Sequence, residues 1–241
     1  IWHRASRQKQ DVCVGSGDLG DVVLFADTFN RYFEPDNLSA AIEVLTAAGF
    51  KVHQPVAADG EARPLCCGRT YLSTGMVDKA RAEANRTIKA FKPYLQKKIP
   101  ILGLEPSCLF TFKDEFLSLI DDDVAPVLAK SAMLLEEFLA GDGLQGFSRL
   151  KFQRTQGRVA WVHGHCHQKA FNSMDAVEQM LQRVPDLTTK MIPSGCCGMA
   201  GAFGYQSETY DASIGMAQLD LVPALAAVDH DDWLLADGFS C

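Results

Sequence analysis

The chain has 241 residues, a formal net charge of −7 and 47% apolar residues, values typical of an ordinary globular protein. Its length suits one large domain or two of about 120 residues. Its acidic balance argues against a nucleic-acid partner, since proteins that bind nucleic acids usually show a basic face. No apolar run approaches the roughly 18 residues that a membrane helix requires, and the amino terminus does not resemble a signal peptide.

Both ends of the chain are those expected of a fragment of a longer polypeptide. The chain begins at Ile1 without an initiator Met and stops at Cys241. Residues 1–20 are polar and contain Gly and Ser, which predicts a linker. Cys13 lies alone within this stretch and is not expected to be a ligand. The remaining residues are predicted to form two domains, 21–150 and 151–241.

Strands and helices alternate in the first predicted domain. Residues 22–27 are a short, continuous apolar run, typical of a strand buried on both faces. Apolar residues at helical spacing from 38 to 48 precede Gly49, which favours a helix that ends there. The remaining predicted elements are a strand at 51–55, a helix at 76–96, a strand at 99–104 and a helical insert at 109–150, with residues 133–139 on one of its helices.

The second predicted domain repeats this alternation. Its expected elements are strands at 159–164, 190–193 and 233–236, and helices at 168–184 and 207–226. Strands that alternate with helices favour parallel sheets with right-handed crossovers. The predicted fold class is therefore α/β, with two pseudo-symmetric repeats, each a Rossmann-like parallel sheet flanked by helices. In such sheets ligands collect at the carboxyl ends of the strands.

Each predicted domain contains two adjacent cysteines followed by glycine. These sequences are Cys66-Cys67-Gly68 and Cys196-Cys197-Gly198. Neighbouring cysteines do not readily bridge each other, because a disulfide needs specific Cα and Cβ separations. Two thiolates on a tight turn beside a glycine suit a metal or cluster that takes several sulfurs from one side. A chain large enough to bury a core has little need of disulfides, so reduced thiols in a cytosolic compartment are favoured.

Further candidate ligands flank each cysteine pair. In the second half Cys166 precedes the pair and Cys241 follows it, which gives a set of four thiols. In the first half Cys108 follows the pair, but the position aligned with Cys166 is Thr28. A hydroxyl is a poor ligand for soft iron or zinc sites. The first site is therefore incomplete, or uses a ligand other than cysteine, or holds nothing.

The duplicated pattern resembles the cysteine-rich "CCG" domain pair. That pair occurs in heterodisulfide reductase, in the glycolate oxidase iron–sulfur subunit and in the C-terminal region of long FAD-linked oxidases and dehydrogenases of 2-hydroxy acids. The resemblance covers residues 22–241, and the segments 165–170 and 195–201 are most similar to the last group. It implies a [4Fe–4S] cluster at each motif, of a non-cubane type in the best-understood relatives. The implied ligands are Cys66, Cys67 and Cys108 in the first site and Cys166, Cys196, Cys197 and Cys241 in the second.

This sequence departs from the family pattern at one ligand position of each site. The relatives carry a further cysteine shortly after the last one, whereas this chain has Thr111 after Cys108 and stops at Cys241. A complete set of five thiolates is therefore not expected in either half.

The resemblance implies a role in electron transfer. FAD would lie in a part of the polypeptide outside this chain and would be reduced by a 2-hydroxy acid such as lactate, glycolate or 2-hydroxyglutarate. The expected partners are that FAD-containing domain and a downstream acceptor, a quinone or another redox protein. No Gly-x-Gly-x-x-Gly loop follows a predicted strand, so the fragment alone is expected neither to bind FAD nor to be catalytic. A cytoplasmic location, or a peripheral one at the inner face of the membrane, is expected.

Two other kinds of function remain open from the sequence. The segment His165-Cys166-His167, together with Cys196 and Cys197, could form a tetrahedral zinc site, either structural or catalytic. Alternatively, one cysteine of a pair could attack a substrate while its neighbour resolves the intermediate, although no Cys-x-x-Cys sequence is present. Iron–sulfur binding predicts a brown colour and labile sulfide, which zinc binding does not.

Overall fold

Two separate β-sheets form the framework of the protein, one in each of two units. The computed structural model describes residues 11–61 and 63–241. The first unit ends at Leu150 and the second runs from Lys151 to Cys241. The predicted α/β class is confirmed, since mostly parallel sheets are flanked by helices. The pseudo-symmetry of the two halves stays a prediction.

The first unit has five strands and nine helices among its described residues. The strands are β1 (Val12–Val14), β2 (Asp21–Leu24), β3 (Lys51–Gln54), β4 (Ile101–Gly103) and β5 (Ala132–Leu134). The helices are α1 (Thr28–Tyr32), α2 (Pro35–Ala47), α3 (Arg69–Ser73), α4 (Val77–Gln96), α5 (Pro106–Lys113), α6 (Glu115–Leu119), α7 (Val124–Ser131), α8 (Leu135–Ala140) and α9 (Leu144–Phe147).

The first sheet is built around β2, whose residues Val22, Val23 and Leu24 are almost completely buried. The strand order is β1-β3-β2-β4-β5, and every pairing except that of β1 with β3 is parallel. Helix α4 covers this sheet with an apolar face on which Ala84, Ile88 and Phe91 follow helical spacing. The carboxyl ends of β2 and β4 therefore lie side by side, and the first cysteine motif follows β3 at the same edge.

The second unit contains a smaller sheet. Its strands are β6 (Val159–Val162), β7 (Thr188–Met191) and β8 (Trp233–Leu235), in the all-parallel order β7-β6-β8. Its helices are α10 (Cys166–Ala170), α11 (Met174–Leu181), α12 (Tyr210–Leu219) and α13 (Leu221–Leu225), with a 3-10 turn at Phe203–Tyr205. The order β3-β2-β4 in the first sheet corresponds to β7-β6-β8 in the second.

The hydrophobic core of the second unit is much smaller than that of the first. Its buried cluster consists of Val162, Val177 and Leu181, with a few half-buried apolar side chains packed around them. On strand β8, by contrast, Trp233 and Leu234 are 37% and 51% exposed. Burial of apolar side chains makes the main favourable contribution to the free energy of folding. This contribution is smaller in the second unit than in the first.

Two short strands lie where the sequence predicts other structure. The predicted linker 1–20 falls partly outside the described residues, but β1 within it pairs antiparallel with β3, and Cys13 opposite His53 belongs to that ladder. The predicted helical insert contains β5, whose Met133 pairs with Leu102 of β4. Both strands have only three residues, and a run that short carries no clear periodicity.

Two predicted helices are broken in the second unit. The helix predicted at 168–184 is interrupted at Asn172, which has a φ of 56°, so that α10 and α11 are separate. The helix predicted at 207–226 breaks at Asp220, whose carboxylate accepts a hydrogen bond of 3.2 Å from the backbone N–H of Gly195. The second break thus ties α12 and α13 to the second cysteine motif.

Within the described part of the chain, every helix is too short or too polar to cross a bilayer.

Candidate functional site

The first cysteine site consists of Cys66, Cys67 and Cys108, which lie at strand ends of the first sheet. Cys67 Sγ donates to Cys108 Sγ at 2.9 Å, and both side chains are buried. Cys66 is half-buried and accepts a hydrogen bond of 3.4 Å from the N–H of Gly68. The structure thus brings together the thiols that follow β3 and β4.

Helix α4 holds the loop that carries Cys66. The Oγ1 of Thr87 donates to the carbonyl oxygen of Cys66 at 2.9 Å. Arg86, only 10% exposed at its side chain, forms an ion pair with Asp59 and donates to the carbonyl oxygen of Pro64 at 2.6 Å. These bonds satisfy backbone carbonyls that the loop itself leaves unpaired, and they fix the cysteine pair against the longest helix of the unit.

The thiols of the first site are held in their protonated form when no metal is bound. The hydrogen bond with Cys67, together with burial, raises the pKa of Cys66, and the hydrogen bond with Cys108 raises the pKa of Cys67 well above its usual value. The hydrogen bond with Cys67 acts to lower the pKa of Cys108. Burial and the charges of Asp27 and Glu105 nevertheless raise it to about 11.

The second cysteine site consists of Cys166, Cys196, Cys197 and Cys241. Cys197 Sγ donates to Cys241 Sγ at 3.8 Å. Burial, followed by the charge and hydrogen bond of Cys196, raises the pKa of Cys166, so these two thiols are also neighbours. The N–H of Gly198 donates to Cys196 Sγ at 3.3 Å. All four thiols of the second half therefore converge where β6, β7 and β8 end.

A histidine joins the second site beside the thiols. A ring nitrogen of His163 lies within 4.8 Å of the sulfurs of Cys197 and Cys241, and the side chain is 2% exposed. Its Nδ1 is hydrogen-bonded to Ser194 Oγ at 2.7 Å, whereas its buried Nε2 has no hydrogen-bond partner. Among the described residues, this trio is the arrangement of three donors that is compact enough to hold a metal ion.

Both sites are approached by a short helix with a side-chain cap. Asp27 caps α1 by accepting from the N–H groups of Phe29 and Asn30 at 2.9 and 3.1 Å. His165 caps α10 by accepting from the N–H of His167 at 3.1 Å. Each cap directly precedes the first helical residue, which is Thr28 in one site and Cys166 in the other. Thr28 and Cys166 are thus each the first residue of a capped helix.

The histidine in the compact donor group is His163, and not one of the two that the sequence suggested as ligands. His165 and His167 stack on each other with ring centroids 5.1 Å apart, and neither belongs to the compact donor group. His163, which was not among the candidate ligands predicted from the sequence, does belong to it. Its position at the carboxyl end of β6 was the available signal, because ligands collect there in parallel sheets.

The donor chemistry of the second site fits an iron–sulfur cluster. Four thiols meet there, and thiols are the ligands of such clusters. The Gly198 N–H donates to one of these sulfurs, a contact of the kind that helps to set a cluster's potential. The first site brings together three thiols, and the residue after its helix cap, where the second site has Cys166, is Thr28. It thus falls one soft ligand short.

A family model described as "Cysteine-rich domain" (CCG) matches two segments of the chain, residues 25–113 and 160–225. Together these segments include more than half of the residues. The first segment contains α1, β3 and the first cysteine pair, and the second contains α10, β7 and the second pair.

Curated relatives that match the chain are named as dehydrogenases or as parts of lactate utilization. One subunit of the anaerobic glycerol-3-phosphate dehydrogenase of Escherichia coli is 26% identical over 80% of this chain and 46% of its own length. D-2-hydroxyglutarate dehydrogenase of Pantoea ananatis is 22% identical over 91% of the chain and 20% of its own length. Lactate utilization protein A of Macrococcus caseolyticus is 24% identical over 91% of the chain and 85% of its own length. The chain thus spans less than half of the first two.

Proposed function

Because the chain belongs to the cysteine-rich CCG domain family, we propose that it is an iron–sulfur electron-transfer module of an FAD-linked oxidoreductase that oxidises a 2-hydroxy acid. The convergence of four thiols at the carboxyl edge of one parallel sheet is the observation that carries this proposal. The names of two relatives, with 2-hydroxyglutarate and lactate as their compounds, support the substrate class.

The residues that would hold the cluster are Cys166, Cys196, Cys197 and Cys241. An iron–sulfur cluster supplies one-electron transfer at a potential set by its ligands, hydrogen bonds to sulfur and burial. The protein itself contributes the Gly198 N–H at 3.3 Å from the Cys196 sulfur, which stabilises negative charge there. Burial of Cys197 limits the access of water to the sulfurs.

The proposal extends to partners and to the first site. Electrons would come from an FAD domain, in the same polypeptide or in a separate partner protein, and go to a quinone or another redox protein. The chain alone would not be catalytic, and the enzyme would be cytoplasmic or peripheral at the inner face of the membrane. Residues 21–150 and 151–241 would be two copies of one repeat, the first with the weaker site formed by Cys66, Cys67 and Cys108.

The test is the content of iron, zinc and acid-labile sulfide in anaerobically prepared protein, together with its visible spectrum. Near-equal iron and sulfide are expected, with a loss of most of both on Cys196→Ser. Cys13→Ser is the matched control, because Cys13 is exposed on β1 and lies in neither site. Stoichiometric zinc without sulfide, even after anaerobic reconstitution with iron and sulfide, would overturn the proposal in favour of a zinc module.

A further inference from the structure

His163 has the features of a metal ligand held ready at the second cysteine site. It is one of the most deeply buried polar residues of the unit, with 2% exposure. Burying an imidazole nitrogen without a hydrogen bond is unfavourable, and Nε2 is in that position. The ring nevertheless lies within 4.8 Å of two sulfurs that the proposed function assigns as ligands.

The other ring nitrogen is already engaged. Nδ1 lies 2.7 Å from Ser194 Oγ, and a donated Nδ1–H leaves the lone pair on Nε2 free to bind a metal. Metal-ligating histidines are usually oriented in this way by a second polar group. Lys169 fixes the backbone around Ser194 by donating to the carbonyl oxygens of Ser194 and Gly195 at 2.5 and 2.9 Å.

The corresponding position of the first site is apolar. Phe25 directly follows β2 as His163 directly follows β6, and each lies two residues before its helix cap, Asp27 or His165. The Phe25 ring is buried against Phe91 and Phe112 in the core, with centroid distances of 5.9 and 5.0 Å. This position therefore holds an apolar ring in the first site, which has three thiols. In the second site, which has four thiols, it holds a nitrogen donor.

We propose that His163 is a ligand of the second metal centre through Nε2, so that this centre has one nitrogen and four sulfur donors from the chain. This inference rests on the proposed function and specifies its site. Replacement of thiolate by imidazole raises the potential of an iron–sulfur centre, because a neutral ligand stabilises the oxidised form less than an anionic one. The second centre should therefore accept electrons more readily than an all-thiolate centre would.

The test is nitrogen hyperfine spectroscopy on the one-electron-reduced centre of the full chain, labelled with ¹⁵N-histidine and reconstituted anaerobically with iron and sulfide. Cys66→Ser and Cys67→Ser are included throughout so that the signal comes from the second site. A coupling to directly bound histidine nitrogen is expected, and His167→Ala, a neighbouring half-buried histidine, should retain it. His163→Cys should keep the iron, lose the coupling and shift the midpoint potential to lower values. Ser194→Ala should weaken iron retention by about tenfold, as loss of an orienting partner does.

The possible failures separate the two proposals. Iron and sulfide present without a bound-nitrogen coupling, or a coupling that survives in His163→Cys, would overturn the role of His163 and leave the electron-transfer function standing. Absence of iron and sulfide from the protein with its second site intact would overturn both.

Discussion

Gly68 and Gly198 occupy the same place in their two sites, after the cysteine pair and in the left-handed region, with φ of 79° and 91°. Only glycine adopts this conformation without strain. The space beside them differs, however. A Cβ on Gly68 would lie 3.1 Å from the carbonyl oxygen of Ala80, whereas one on Gly198 would lie 2.2 Å from that of Ser213. The second motif is therefore packed more tightly against its helix than the first.

Replacement of Gly198 should consequently be far more damaging than its backbone angle alone implies. Gly198→Ala adds a backbone clash to the strain of about 1–2 kcal/mol for an L-residue in this region, and should lower both stability and metal content. Gly201→Ala is the control, since Gly201 has a φ of 70° but open space around its Cα. Urea unfolding and iron analysis of the two variants would check this, and equal losses would contradict the packing argument.

The threonine at the fourth position of the first site permits the reverse experiment. Thr28 follows the cap Asp27 as Cys166 follows the cap His165, so Thr28→Cys should complete a set of four thiols. When the second site is removed by Cys196→Ser and Cys197→Ser, adding Thr28→Cys should raise the iron affinity of the chain by about tenfold or more. Ser39→Cys on the exposed surface of α2 adds a thiol elsewhere and should leave it unchanged. Equal iron retention in both variants would show that position 28 does not face the first site.

At the scale of elements, strand β8 is joined to β6 by a side chain as well as by its ladder. Asp232 accepts from the N–H of Val159 and from Nε1 of Trp161, both at 3.0 Å. The hydrogen bond from Trp161, followed by that from Val159, lowers the pKa of Asp232 below 3.8. These bonds hold together the two strands whose ends carry Cys241 and His163.

The stability that Asp232 contributes should depend on pH in one direction. A lowered pKa in the folded state means that the contribution is present above the unfolded value of 3.8 and is lost as the pH falls through the folded value. Asp232→Asn, whose amide would face the Trp161 N–H, should destabilise the second unit at neutral pH and flatten its acid dependence. Asp231→Asn is the exposed control. Unfolding of both variants followed from pH 7 to pH 3 would check this, and a wild-type acid profile in Asp232→Asn would contradict it.

Long, strongly patterned elements could be predicted from the sequence, and short or context-dependent ones could not. The helix expected at 76–96 is α4 at Val77–Gln96, because its apolar face repeats over twenty residues. Strands β1 and β5 have three residues each and exist through pairing with β3 and β4, which no local pattern encodes. His163 was missed for a similar reason: its burial and its contact with Ser194 arise only when β6 and β7 pair.

At the scale of the whole molecule, the two units differ in how they are stabilised. The first has an extensive buried cluster, including Phe91, Phe112 and Phe116. The buried cluster of the second consists of Val162, Val177 and Leu181. Metal binding that depends on folding adds to the free energy of folding, and with a smaller buried cluster this addition is a larger share of the stability of the second unit.

The proposed cluster at the second site therefore implies that its removal should loosen the second unit selectively. After chelation and reduction, amide hydrogen exchange should accelerate in residues 159–162 and 174–181, while residues 84–91 and 101–103 keep their protection. The first unit of the same molecule serves as the internal control. Equal loss of protection in both units, or none in either, would show that the second unit does not depend on its metal.

Strand β1 has a practical consequence for any shortened version of the protein. It covers the outer side of β3 through the pairs Val12–Gln54 and Val14–Val52. A strand left without a neighbour presents a row of free N–H and C=O groups, which invites pairing with another chain. A version that starts after residue 14 would keep every cysteine of both sites but expose this row, and its self-association could be mistaken for a natural oligomer.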